Sequence, residues 1–110
     1  MDLRSSAIPW LVFVLAALLE VSGDAAIRRG LRGRSLVFIL VGGLVLAGYG
    51  LMVNTIKWDF SRLLGVYVAF FALVSILAGR LVFHEQVPAS TWCGLGLIFA
   101  GALLIQFGRT

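Results

Sequence analysis

The chain has 110 residues, of which 61% are hydrophobic and 13% charged, with a formal net charge of +4. Soluble domains average roughly 45–50% apolar and about 25% charged residues, and a water-soluble fold this small has too little interior to hide the excess. An ordinary soluble domain is therefore excluded. So is nucleic acid as the partner of the positive charge, because the basic residues stand at the ends of apolar runs, where lipid headgroups attract them.

Four apolar runs follow one another, at residues 7–27, 36–56, 63–83 and 89–107. Each matches one bilayer crossing, since a hydrocarbon core of roughly 30 Å takes about 20 helical residues. No stretch alternates apolar and polar positions as a membrane β-strand does. The expectation is a single domain over residues 1–110, an all-α membrane protein built as a four-transmembrane-helix bundle. Residues 1–6 are too short and too mixed to be a targeting segment. Ser22-Gly23-Asp24-Ala25 is a poor cleavage site, so the first run is expected to be retained.

In the first run, Glu20 follows an unbroken apolar stretch from Trp10 to Leu19, which places it well inside the span. A charged acid at mid-membrane costs at least roughly 2.5–3.5 kcal/mol, and acids in such places are as a rule functional. Burial favours the neutral form of a carboxyl group, so Glu20 either holds a proton or, once ionised, attracts a cation. Asp24 lies four residues on, on the same helical face. Two readings stay open for it: an exposed pair with Arg28, or a relay passing protons or cations between water and Glu20. Trp10 is a candidate cavity aromatic or a belt residue at headgroup depth.

The second run carries Tyr49 and Asn54, polar groups that either touch a substrate or hydrogen-bond across helices, together with Gly42, Gly43, Gly48 and Gly50. In the third, Tyr67 brings a hydroxyl and a π-face able to hold a cation; its alternative is an interfacial anchor, the role expected for Trp58 and Trp92. Ser75 is a weaker polar candidate, and His84 and Glu85 fall in a loop before Pro88, which suits the start of a helix. The fourth run is uncharged, with a stripe of small residues at Gly94, Gly96 and Gly101. It reads as a packing helix, expected to dimerise the protein.

Between the runs, Arg28 to Arg34, Lys57 to Arg62 and His84 to Pro88 mark short breaks, so consecutive helices are expected to run antiparallel. Arg4, Lys57, Arg62 and Arg109 then share one side of the membrane, against Arg28, Arg29, Arg32, Arg34 and Arg80 on the other. Orientation follows the asymmetry of Lys and Arg, and a near-tie permits insertion both ways. Cys93 is the only cysteine. No nucleophile with its base, zinc motif, phosphate loop or dinucleotide fingerprint occurs, so neither an enzyme nor a metal or cofactor site is expected.

The acid in Leu19-Glu20-Val21-Ser22-Gly23 resembles the Ala-Glu-Val-x-Gly pattern of the small multidrug resistance transporters, part of the drug/metabolite transporter superfamily. Gly94-x-x-Leu97-Ile98-x-x-Gly101 is similar to that family's dimerisation stretch, and the likeness covers nearly the whole chain. It implies an antiparallel, dual-topology homodimer in the bacterial inner membrane. The first-helix glutamates of both copies would share protons and a cationic small molecule by alternating access. Glu20 matches the essential acid, Tyr67 falls where the family usually has a substrate-facing tryptophan, and Tyr49 lies near the expected cavity aromatics.

The chain departs from that pattern at Tyr67, at Leu64 where a gating tyrosine is common, at Phe60-Ser61-Arg62 in place of a Pro-Thr-Gly turn, and in its second acid, Asp24. Gly65-Val66-Tyr67-Val68-Ala69 also resembles a less characterised group of similarly small bacterial membrane proteins. The reading is a proton-coupled exporter of small hydrophobic or guanidinium-like cations, pairing with a second copy of itself. The alternative is a non-catalytic membrane subunit or lipid-carrier flippase component that works with a paralogous partner.

Overall fold

The computed structural model describes residues 3–108. Regular structure among them is helical: α1 is Leu3–Gly33, α2 Leu36–Val53, α3 Phe60–Leu81 and α4 Ala89–Phe107. Arg109, one of the basic residues weighed for orientation, lies outside the described residues, as do Met1, Asp2 and Thr110. All four helices are long and apolar enough to cross a membrane. The reason for helix is that hydrocarbon offers no partner to a backbone N–H or C=O, and a helix satisfies both within one segment. Leu44, Leu51, Leu97 and Leu104 leave 72 to 76% of their surface open. In water that would be a liability; in lipid it is the ordinary outer face of a span. The chain is an all-α, multi-pass membrane protein.

Two compact units divide it, Met1–Ile56 with α1 and α2, and Lys57–Thr110 with α3 and α4. In the first, α1 runs for 31 residues, straight through the arginines where the sequence suggested a break. Arginine is a good helix former, so charge alone does not stop the helix. It ends where Arg34 takes a left-handed φ of 55° and the Ser35 N–H donates to the Gly30 carbonyl at 2.8 Å, a Schellman closure. Ser35 then caps α2, its hydroxyl accepting from the Phe38 N–H at 3.4 Å. At its other end α2 stops at Val53, short of the apolar limit at Ile56. There Asn54 Nδ2 donates to the Gly50 carbonyl at 2.8 Å and Thr55 Oγ1 to that of Met52 at 2.6 Å. Such side-chain bonds compete with helix continuation.

Glycine sets how closely α1 and α2 approach. A Cβ added at Gly42 would stand 2.6 Å from the Gly23 carbonyl oxygen and 2.7 Å from Ile27 Cγ1, and one at Gly23 would stand 2.8 Å from Leu46 Cγ. At Gly30 it would meet Ile39 Cγ1 at 2.7 Å. Gly30, Ile27 and Gly23 thus face Ile39, Gly42 and Leu46 in turn, each step down α1 matched by an equal step up α2. That ladder is an antiparallel register built on one small-residue face per helix.

In the second unit, α3 meets α4 where Gly65 faces Ile105, whose Cδ1 would lie 2.9 Å from an added Cβ. Near the same end Arg62 Nε donates to Gln106 Oε1 at 2.9 Å. At the far end of α3 the N–H groups of Val82 and Phe83 both donate to the Ala78 carbonyl. His84 then takes a left-handed φ of 55°, and the Glu85 N–H turns back to the Gly79 carbonyl at 2.9 Å.

Gly42→Val forces a side chain into the Gly23 backbone, and overpacking of this kind costs roughly 1–3 kcal/mol. Gly43, one residue on, has nothing within 4 Å of an added Cβ. Melting followed by circular dichroism in detergent should show a clearly lowered midpoint for Gly42→Val and little change for Gly43→Val. Equal midpoints would contradict the glycine-set register.

Candidate functional site

Glu20 stands one helical turn from Gly23, continuing the flank of α1 that packs on α2. Tyr49 is three residues beyond Leu46, the residue that Gly23 touches. The same antiparallel step that pairs Gly23 with Leu46 therefore brings Glu20 level with Tyr49. Both are half-buried, and Tyr49 lies within electrostatic reach of the Glu20 and Asp24 carboxylates. Two acids from α1 and a phenol from α2 are thus gathered along one side of a single helix pair.

One turn further along α1 the surroundings become apolar and buried. Phe13, Ala16 and Ala17 have no exposed surface, and Val53, which the register sets level with Ala16, keeps only 1%. Small alanines let the backbones close up there, so the side of Glu20 toward Phe13 is densely packed. A low-dielectric flank strengthens whatever charge interaction the carboxylate makes. Trp10 packs edge-on to Phe13, with ring centroids 5.8 Å apart and planes at 83°. Ten residues separate it from Glu20, a rise of about 15 Å, so along α1 it belongs to the far side of the apolar floor. Asp24 lies the other way, about 6 Å along the axis, and is exposed, as is Arg28.

Tyr67 is on α3, in the second unit, and is buried to 4% of its surface. The proposed packing residues lie along α4: Leu97 is 75% exposed, Ile98 is exposed at the margin, and nothing lies within 4 Å of a Cβ added at Gly94, Gly96 or Gly101. That stripe is open within the chain. Cys93 beside it is exposed. Among the described residues no group of three or more His, Cys, Asp or Glu is placed to hold a metal ion.

One cluster was not singled out from the sequence. Arg62 lays its guanidinium 3.8 Å from the centre of the Trp58 ring while its Nε bonds to Gln106. Trp58 is therefore more than a belt residue: it stacks on the cation that ties the start of α3 to the end of α4. The signal available was Gln106 itself, a polar side chain near the end of an otherwise apolar helix, which calls for a partner.

A family profile described as "Uncharacterised BCR, YnfA/UPF0060 family" matches residues 7–110. Among curated relatives, a UPF0060 membrane protein of Herpetosiphon aurantiacus is 30% identical over 99 residues, covering 87% of this chain and 90% of the relative. One from Staphylococcus carnosus is 39% identical over 82 residues, 73% of this chain and 75% of its own length. One from Clostridium perfringens is 36% identical over 98 residues, covering 86% and 88%. No solved structure matches the chain.

The contrast between the half-buried Glu20 and the exposed Glu85 has a chemical readout. A hydrophobic carbodiimide partitions into lipid and so reaches a carboxyl group within an apolar span ahead of an exposed one. Peptide mapping after treatment near pH 7 should find the adduct chiefly on Glu20, with little on Glu85, and lose it in Glu20→Gln. Equal labelling of the two would remove the distinction on which the site rests.

Proposed function

The chain belongs to the YnfA/UPF0060 family of membrane proteins, and from that premise we propose that it is a proton-coupled antiporter. On this reading it exports small hydrophobic or guanidinium-like cations across the bacterial inner membrane and works as a dimer. It is a carrier and not an enzyme. The observation that carries the reading is Glu20: an acid within an apolar span, half-buried, level with Tyr49 and bordered by a floor of buried apolar residues.

Coupling follows from occupancy. A carboxylate in hydrocarbon is too costly to leave bare, so Glu20 is neutralised by a proton or by a cation. The two compete for the same oxygens, and arrival of one releases the other. Tyr49 serves in both states, its hydroxyl bonding to the carboxylate and its ring offering a π-face to the cation. Asp24, a turn away and open to water, relays protons or collects cations. The resemblance of Leu19-Glu20-Val21-Ser22-Gly23 to the small multidrug resistance pattern supports the same chemistry. The open small-residue stripe at Gly94, Leu97, Ile98 and Gly101 supports pairing of α4 with its counterpart in a second copy.

The test is proton release from detergent-solubilised protein near pH 7 on adding quaternary ammonium, guanidinium or polyamine cations. Release is expected from at least one class, and it should vanish in Glu20→Gln while helicity and assembly persist. Silence toward every cation would overturn the antiport reading in favour of a membrane subunit working with a paralogous partner.

A further inference from the structure

Four of the chain's nine basic residues fall within seven positions, at Arg28, Arg29, Arg32 and Arg34, and all four are exposed. Because α1 continues through the first three, these stand on a rigid rod instead of a loose loop, with Arg34 in the turn that ends it. Arg29 and Arg32 are three apart and so neighbours on the helix surface. The turn that follows is closed by the Ser35 to Gly30 hydrogen bond and the Ser35 cap.

This basic end is also an apolar one. Leu31, Leu36 and Val37 are 66%, 67% and 70% exposed, and the Arg29 guanidinium lies 5.2 Å from the centre of the Phe38 ring. Its depth follows from length. With only 18 residues, α2 spans about 27 Å, so nearly all of it is needed to fill a hydrocarbon core of roughly 30 Å. Leu36 to Phe38 therefore mark the edge of that core. Gly30 faces Ile39, which puts Arg29 and Arg32 at the same level, where lipid phosphates lie. Planar guanidinium forks suit phosphate oxygens, and the flank from Phe38 to Val41 below them offers an apolar bed for an acyl chain.

We propose that the Arg29–Arg32 end of α1, together with Phe38 of α2, is a binding site for one anionic phospholipid. A zwitterionic headgroup would bring its own ammonium into the field of four arginines, so the site selects a headgroup of net negative charge. This is independent of the exchange chemistry at Glu20.

The test is native mass spectrometry of the full chain released from detergent, titrated with dioleoyl phosphatidylglycerol, dioleoyl phosphatidylcholine or free glycerol 3-phosphate. One phosphatidylglycerol per chain should be retained with a preference of about tenfold or more over phosphatidylcholine. The preference should fall to parity in Arg29→Gln/Arg32→Gln and shrink in Arg29→Lys, which keeps the charge but not the fork. It should survive in Lys57→Gln/Arg80→Gln, which removes equal charge elsewhere. Equal retention of both lipids by the unaltered protein would overturn the proposal. So would a preference that survives the Arg29/Arg32 change or is lost equally in the Lys57/Arg80 change. Glycerol 3-phosphate binding as well as the lipid would show a site for soluble phosphate instead.

Discussion

Where Gly23 and Gly42 meet, α1 and α2 touch backbone to backbone, with no space for a Cβ on either side. In lipid there is no hydrophobic gain from bringing two apolar helices together, because the tails are as apolar as leucine; what remains is close packing and hydrogen bonding. Two facing glycines allow the closest packing available, and they also lock the register. Once Gly23 faces Gly42 and Leu46, Glu20 is level with Tyr49, Ala16 is level with Val53, and Gly30 is set against Ile39. A slip of one residue would turn Glu20 away from α2. The position of the acid relative to the phenol is therefore a consequence of where two side chains are missing.

The electrostatics builds on that register. Glu20 is half-buried, with Phe13, Ala16, Ala17 and Val53 closed on one side and the exposed Asp24 on the other. The carboxyl group is thereby given a packed end and an open end about a turn of helix apart. A carboxylate within an apolar span is costly, and the proposed exchange at Glu20 draws on that cost. The arginines that follow in sequence lie toward the membrane edge, where Arg29 stacks on Phe38.

Most of the architecture was legible in the sequence. Apolar length alone located the four spans, and an acid after ten apolar residues pointed to Glu20. Tyr49 and Asp24, picked out for their polarity, do gather with it around one helix pair. Helix ends were less legible, because apolarity measures where lipid begins and not where hydrogen bonding stops. So α1 outruns its apolar stretch through arginines that favour helix, and α2 falls short of its own because Asn54 and Thr55 bond back to it. The glycines divide in the same way. Gly42 and Gly43 look alike in sequence, yet one is packed against α1 and the other is open, a difference that only the register decides. In the Trp58–Arg62–Gln106 cluster, Gln106 signals the need for a partner, but the partner itself was hidden because Arg62 lies 44 residues away.

The two ends of the α1–α2 pair have different chemistry. Toward Arg34 lie charge and capping; toward Phe13 lies a buried apolar floor; the acid stands between them. The measurement that tests this account most directly is uptake of radiolabelled tetraphenylphosphonium into proteoliposomes of the full chain under an imposed pH gradient, with the membrane potential clamped at zero. With the vesicle interior acidic, antiport should drive accumulation of the cation above equilibrium and collapse it when a protonophore is added. Uptake that ignores the gradient, or persists undiminished after the protonophore, would contradict the claim that proton and cation exchange at one carboxylate.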